Sequence, residues 1–187
     1  MRHLFEFVQK DRRTKFFWPL VGLSFLVMAV MHLVGKPLIT EAAPWGMISF
    51  ELAGSAANAE MILASWNQEA TVSAAFNLGF DFLFIPVYIG TIALGCGIVA
   101  NALRKSKKLF SSLGFLLSWG VILAGSLDVI ENIALLKILF GSVASPWPEI
   151  ARLCAVPKFC LINFVLIYII CGSIVKLAIS SGKNIGD

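Results

Sequence analysis

Asp81, Asp128, Glu131 and Lys158 are ionisable side chains set in long apolar stretches. A carboxylate can take a proton, hold a cation, receive the polar head of an amphiphile or act as a general base, and an ammonium can neutralise it. Such groups cost several kcal/mol inside a bilayer unless they are paired, hydrated or near an edge, so each one demands a reason. Helix rise gives their depth. Counted from the nearest basic residues at ~1.5 Å per residue, Arg104 to Asp81 is ~34 Å, Lys108 to Asp128 ~30 Å and Lys176 to Lys158 ~27 Å. Three helices therefore bring two carboxylates and an ammonium to one layer. Glu131 lies one turn beyond Asp128 on the same face, and Asn132 shares that face at i+4. Asn77, Asp81 and Tyr88 form one polar stripe. His32, ~26 Å from Lys15 by the same rise, reaches nearly the same level.

These positions predict an outward-facing polar pocket that binds or passes a small or amphiphilic solute. Asp81 and Asp128 would bind a cation, a proton or an amphiphile's head, with Glu131 at the mouth and Lys158 as counter-charge. Tyr88, Asn77, Asn132, Trp66 and His32 complete the candidate ligand-binding set. A purely structural reading competes with this: Lys158 neutralises one or two acids, the others reach interfacial water, and the cluster pins helix register. Three acids against one lysine leave at least one carboxylate to be satisfied by water or Arg152. Two further readings stay open: an acid–base enzyme for a lipophilic substrate, with Asp81 or Asp128 as base, and an accessory subunit without a ligand. No catalytic set, metal site or cofactor is assigned. His32 and His3 are not at ligand spacing, and although the three acids offer oxygen ligands to a hard divalent ion, nothing singles out a metal. Cys96, Cys154, Cys160 and Cys171 form no C-x-x-C pair. There is no phosphate-cradling Gly-rich loop, G-x-S-x-G elbow or zincin motif.

The elements that must position these groups follow from composition. Of 187 residues 58% are hydrophobic and 14% charged, more apolar surface than a soluble fold of this length can hide. Disordered chains, disulfide scaffolds and most soluble enzyme folds are thereby excluded. The expectation is an all-α membrane protein: residues 1–187 as a single transmembrane domain, a four-transmembrane-helix bundle with spans over 16–39, 76–103, 109–139 and 156–179. The first span is longer than a signal-peptide core and reads as an uncleaved anchor. Arg2, Lys10, Arg12, Arg13, Lys15, Arg104, Lys105, Lys107, Lys108, Lys176 and Lys183 fall at one end of the spans, which predicts both termini in the cytoplasm of a bacterial inner membrane. Beside a span, the basic run from Lys10 to Lys15 reads as a topological anchor touching anionic lipid and not as a nucleic-acid site. The net charge of +4 hides an acidic outer side, since the stretch between Lys36 and Arg104 holds Glu41, Glu51, Glu60, Glu69 and Asp81 and no basic residue.

In that outer connection Asn58 would cap an interfacial amphipathic helix over 58–68, with Ala59, Ile62, Leu63 and Trp66 on its apolar side. Gly114, Ser118, Gly125 and Asp128 make a small-residue seam; facing inward it would draw Asp128 towards the bundle axis, facing outward it would serve a homo-oligomer. Asn163 and Tyr168 read as interhelical hydrogen-bonding groups. Membrane lipids and a small-molecule or lipid ligand are the expected partners.

The segments Phe50-Glu-Leu-Ala53, Ile62-Leu-Ala-Ser-Trp66, Leu78 to Phe84, Asp128-Val-Ile-Glu-Asn132 and Lys158-Phe159 resemble a group of uncharacterised bacterial four-span membrane proteins. That resemblance covers most of the chain after residue 45 and implies topology alone. The four-span plan is also similar to the sigma-2 receptor and sterol-isomerase group, which holds carboxylates in a membrane cavity. This chain departs from that group in its proline spacing after Asp81 and in lacking a paired His and Glu, so the likeness is topological.

Overall fold

The computed structural model describes residues 10–104 and 106–183; Arg2, His3 and Lys105 lie outside the described residues. Among the described residues there are six α-helices: α1 (Lys10–Val34), α2 (Met47–Glu51), α3 (Ala56–Ser65), α4 (Gln68–Leu103), α5 (Lys108–Leu139) and α6 (Trp147–Lys183), with a 3-10 turn at Lys36–Leu38. The four long helices are apolar and long enough to cross a membrane. The two short ones sit outside that set, so the all-α four-span bundle with an extra helix in the first connection is what forms.

Boundaries differ from expectation where capping chemistry outranks hydropathy. Asn67 caps α4, its side chain accepting from the Ala70 amide at 2.9 Å, and the helix therefore starts at Gln68, about two turns before the apolar run. The helix expected at 58–68 starts earlier and stops earlier. Its cap is Ser55, in extended conformation and accepting from the Asn58 amide, because Gly54 at φ +68 reverses the chain just before it. Asn58 instead donates its side-chain amide to the Ala53 carbonyl at 2.8 Å. Ala59 and Ile62 are buried while Glu60 is exposed, so the amphipathic pattern holds.

The connection between α1 and α4 folds back over one end of the bundle as a cap. Leu38, Ala43, Phe50, Ala59, Ile62 and Trp66 form one apolar core with residues of α4, α5 and α6. Trp66 stacks edge-on against Phe50, with centroids 5.0 Å apart, and donates its indole N–H to the Leu38 carbonyl at 3.1 Å. An indole that finds its hydrogen bond inside an apolar core fixes its neighbours in both distance and direction.

In the bundle, α4 and α5 form a hairpin on which α6 packs along α5, while α1 lies mainly against α4. The small-residue seam faces inward. Gly114, Ser118, Gly125 and Asp128 are all buried; Gly114 admits Tyr168 of α6, whose hydroxyl donates to the Phe110 carbonyl at 3.0 Å. Close backbone approach of this kind is how helices gain packing energy in a membrane. Tyr168 is thus interhelical as expected, whereas Asn163 is exposed and donates within its own helix, to the Phe159 carbonyl. Ser24 of α1 meets Thr91 of α4 with hydroxyl oxygens 3.0 Å apart.

Gly54 carries a sharp test of the cap's seating. Its φ is +68 and an added Cβ would stand 2.5 Å from Arg152 Cδ, so Gly54→Ala is expected to cost roughly 1–2 kcal/mol. Gly79, in α4 with open space around it, is the control: Gly79→Ala leaves the thermal midpoint in detergent unchanged or raised. Equal midpoints for the two variants would contradict the cap geometry.

Candidate functional site

Under the cap, four helices deliver charged side chains to one point. Lys158 of α6 stands at its centre. Its ammonium donates to Asp128 Oδ1 at 2.9 Å and to Glu131 Oε1 at 2.8 Å, both on α5. Asp128 and Glu131 are three residues apart, which sets them one helical turn apart on one face and lets a single cation touch both. The second oxygen of Glu131 is also 2.8 Å from Nζ, though without hydrogen-bond geometry. Glu51, the last residue of α2 in the cap, reaches the same ammonium from above with Oε2 at 3.9 Å. The side chains of Lys158, Asp128 and Glu131 are all more than nine-tenths buried. Buried charge at this density survives only through mutual pairing.

The network continues into α4. Tyr88 donates its hydroxyl to Asp128 Oδ2 at 2.8 Å, so both Asp128 oxygens are engaged. Asn132 donates to Asp81 Oδ2 at 2.6 Å, and Asp81, half-buried, lies outside direct reach of the lysine. Asn77 turns its amide back to the Ser73 carbonyl at 3.0 Å. Three carboxyl groups thus face one ammonium, with Asp81 a fourth beside them. Glu51 shows the consequence outside the spans: burial pushes its carboxyl up to about 7 against the pull of Lys158, with the negative charges of Asp81 and Asp128 adding to the rise.

Beside the network lies a cavity of about 580 Å³. Its polar end is formed by Glu51, Asn77, Asp81, Tyr88, Asp128, Asn132 and Lys158; its remaining wall is aliphatic and aromatic, from α1, α4 and α6. Along α4 it extends from Asn77 to Ile92, ~22 Å at ~1.5 Å per residue. At its far end Phe17 of α1 and Ile169 of α6 converge on Gly95, where an added Cβ would meet them at 3.2 and 3.1 Å. The cavity lies where α1, held on α4, leaves a cleft along α6: Phe17, Val21 and Phe25 form one lip, Phe159, Ile162 and Leu166 the other.

Known protein families, curated proteins and solved structures contain no match to this chain. Any functional reading therefore rests on the geometry.

Of the residues singled out in the sequence, Asp81, Asp128, Lys158, Tyr88, Asn77 and Asn132 come together along the cavity. Three do not take the expected places. Glu131 is fully buried and not at the mouth, because α2 folds over it. Trp66 is in the cap's own core and does not line the cavity. His32 is exposed on the outer side of α1, and Met28 and Met31 take the inner side. The residue that sequence reasoning passes over is Glu51. Its only signal is one acid closing the apolar run Met47-Ile-Ser-Phe50, a pattern that reads equally as an interfacial helix end.

Lys158→Met, close in shape but uncharged, leaves the acids without their cation and is expected to cost about 3–5 kcal/mol. Lys176→Met, at an exposed position on the same helix, is expected to leave stability within ~0.5 kcal/mol of wild type. Unfolding titrations in mixed micelles would show the difference, and equal stabilities would mean that Lys158 is not paired with these acids.

Proposed function

We propose that the protein binds an amphiphile taken from the bilayer, its apolar body in the cleft between α1 and α6 and its polar head against Asp81 at the cap end. The observation that carries this is the continuity of one elongated apolar cavity with the carboxyl network. Pockets that hold small molecules combine mostly apolar walls with a few polar groups that set orientation. Asp81 is the network member best placed to meet a head group, since it lines the cavity and its hydrogen-bond partner is the neutral Asn132. An excess of carboxyl groups over cations favours a head that is positively charged or donates hydrogen bonds. Tyr88 and Asn132 would orient it, with Asp128 holding Tyr88 and Lys158 holding α5 and α6 together.

The same wall argues against a continuous pore. Past the Ser24 and Thr91 hydroxyls the cavity is lined by the apolar Phe17, Ile92 and Ile169, and an ion pathway through the bilayer needs polar groups along its length. General-base catalysis by Asp128 is disfavoured because both its oxygens are occupied; an enzymatic version of the site would use Asp81. In this reading the cap faces the outer side of a bacterial inner membrane and both termini face the cytoplasm, as the distribution of Lys and Arg supports.

Native mass spectrometry of protein released directly from membrane vesicles tests the reading. Wild type is expected to carry a bound lipid-sized adduct. Asp81→Asn, which keeps shape and removes charge, and Ile162→Trp, which fills the cleft from the α6 side, are each expected to reduce adduct occupancy at least about tenfold. The same adduct at the same occupancy in all three proteins, or none in wild type, would overturn it.

A further inference from the structure

Glu51 and Glu131 belong to different parts of the molecule, the cap and α5, and they meet over Lys158. Their carboxyl groups stand side by side against one ammonium, Oε2 of Glu131 at 2.8 Å and Oε2 of Glu51 at 3.9 Å from Lys158 Nζ. Oε2 of each is sealed from solvent, and neither receives a hydrogen bond from any donor among the described residues. A carboxylate is an acceptor only, so two ionised carboxyls in contact have nothing to exchange but repulsion. Lys158 does not resolve this. Its hydrogen bonds go to Asp128 and to Oε1 of Glu131; Oε2 of Glu131 is 2.8 Å from it without hydrogen-bond geometry, Oε2 of Glu51 is 3.9 Å away, and one cation cannot neutralise these three acids. What the pair lacks is one hydrogen.

We propose that Glu51 and Glu131 together form a proton-binding site, and that the proton they share fastens the cap to the bundle. With the proton in place, one carboxyl becomes a donor to the other, the two orphan oxygens are satisfied, and the charge facing Lys158 falls by one. With the proton lost to solvent, two anions are pressed together across the joint between α2 and α5. The other charged or titratable groups at this point are Asp128 on α5, Lys158 and Cys154 on α6, and Asp81 and Tyr88 on α4. Only Lys158 among them carries positive charge to offset a second anion. Arg152 lies over Gly54 at the edge of the cap.

The direction of the pH effect follows. Glu51, ordinarily at 4.5, is raised to about 7, so the attached cap binds a proton more tightly than a detached one does. Attachment is strongest below 4.5, weakens as pH rises from there to about 7, and is independent of this proton at higher pH. The α2 segment is bracketed by two glycines at positive φ, Gly46 and Gly54, and these are the positions at which it can turn away. The inference holds whether or not an amphiphile occupies the cleft.

Hydrogen–deuterium exchange over residues 46–54, corrected for the intrinsic pH dependence of amide exchange, reads cap attachment in the intact protein in nanodiscs. Wild type is expected to lose protection by up to about tenfold per pH unit as pH rises from 4.5 to about 7, and to level off above. Glu51→Gln, which supplies a permanent donor, keeps its protection across the range, and Glu131→Gln does the same if the first variant folds poorly. Infrared titration of wild type alone provides a second readout: loss of one protonated carboxylic acid with a midpoint near pH 7. Protection that does not change with pH in wild type, absence of the carboxylic acid band, or a Gln variant that titrates as wild type does would each overturn the proposal.

Discussion

A single ammonium, Lys158, buried among the carboxyl groups of α2 and α5, is the constraint on which the arrangement depends. Its three acidic neighbours come from the cap and from α5, while its own helix brings it across. In low dielectric each of these charges would be prohibitive alone, and together they hold three segments to one point. Membrane helices lack a hydrophobic force between them, so a polar hub and small-residue seams set their register. Here both devices lie on α5, where Gly114, Ser118 and Gly125 lead to Asp128 along one buried face.

The hub also explains why a cavity lies beside it. α5 and α6 are drawn together by the lysine, and α4 is tied to α5 through Tyr88 to Asp128 and Asn132 to Asp81. α1 has no member in this network. It rests on α4 through apolar contact and the Ser24 to Thr91 hydroxyl pair, and the space along α6 is left unfilled. The polar and apolar halves of the site are then two results of one asymmetry: three helices are clamped and the fourth is not.

Much of this is legible in the residues themselves. The rise of a helix is fixed, so depth can be counted, and the count that sets Asp128 and Lys158 at one level agrees with their pairing. Spacing along α5 places Asn132 on the same face as Asp128, and the inward seam gives that face its direction. What helix counting does not supply is the path of a folded-back connection. Glu51 sits in a five-residue helix whose position comes from the Phe50 and Trp66 core and from a glycine turn, none of which has a period to read. Glu131 is expected at a mouth for the same reason, since depth along one helix says nothing about the roof above it. His32 reaches the right level on the wrong side of α1, where Met28 and Met31 take the cavity side.

The most direct measurement is solid-state NMR of the protein in lipid bilayers, using dipolar coupling from the Lys158 ammonium nitrogen. The account predicts couplings to the side-chain carboxyl carbons of Asp128 and Glu131 and a weaker one to Glu51. Coupling to lipid phosphorus in place of those carboxyls would mean that the lysine reaches for the membrane surface, and the hub, the clamped helices and the site built on them would fall together.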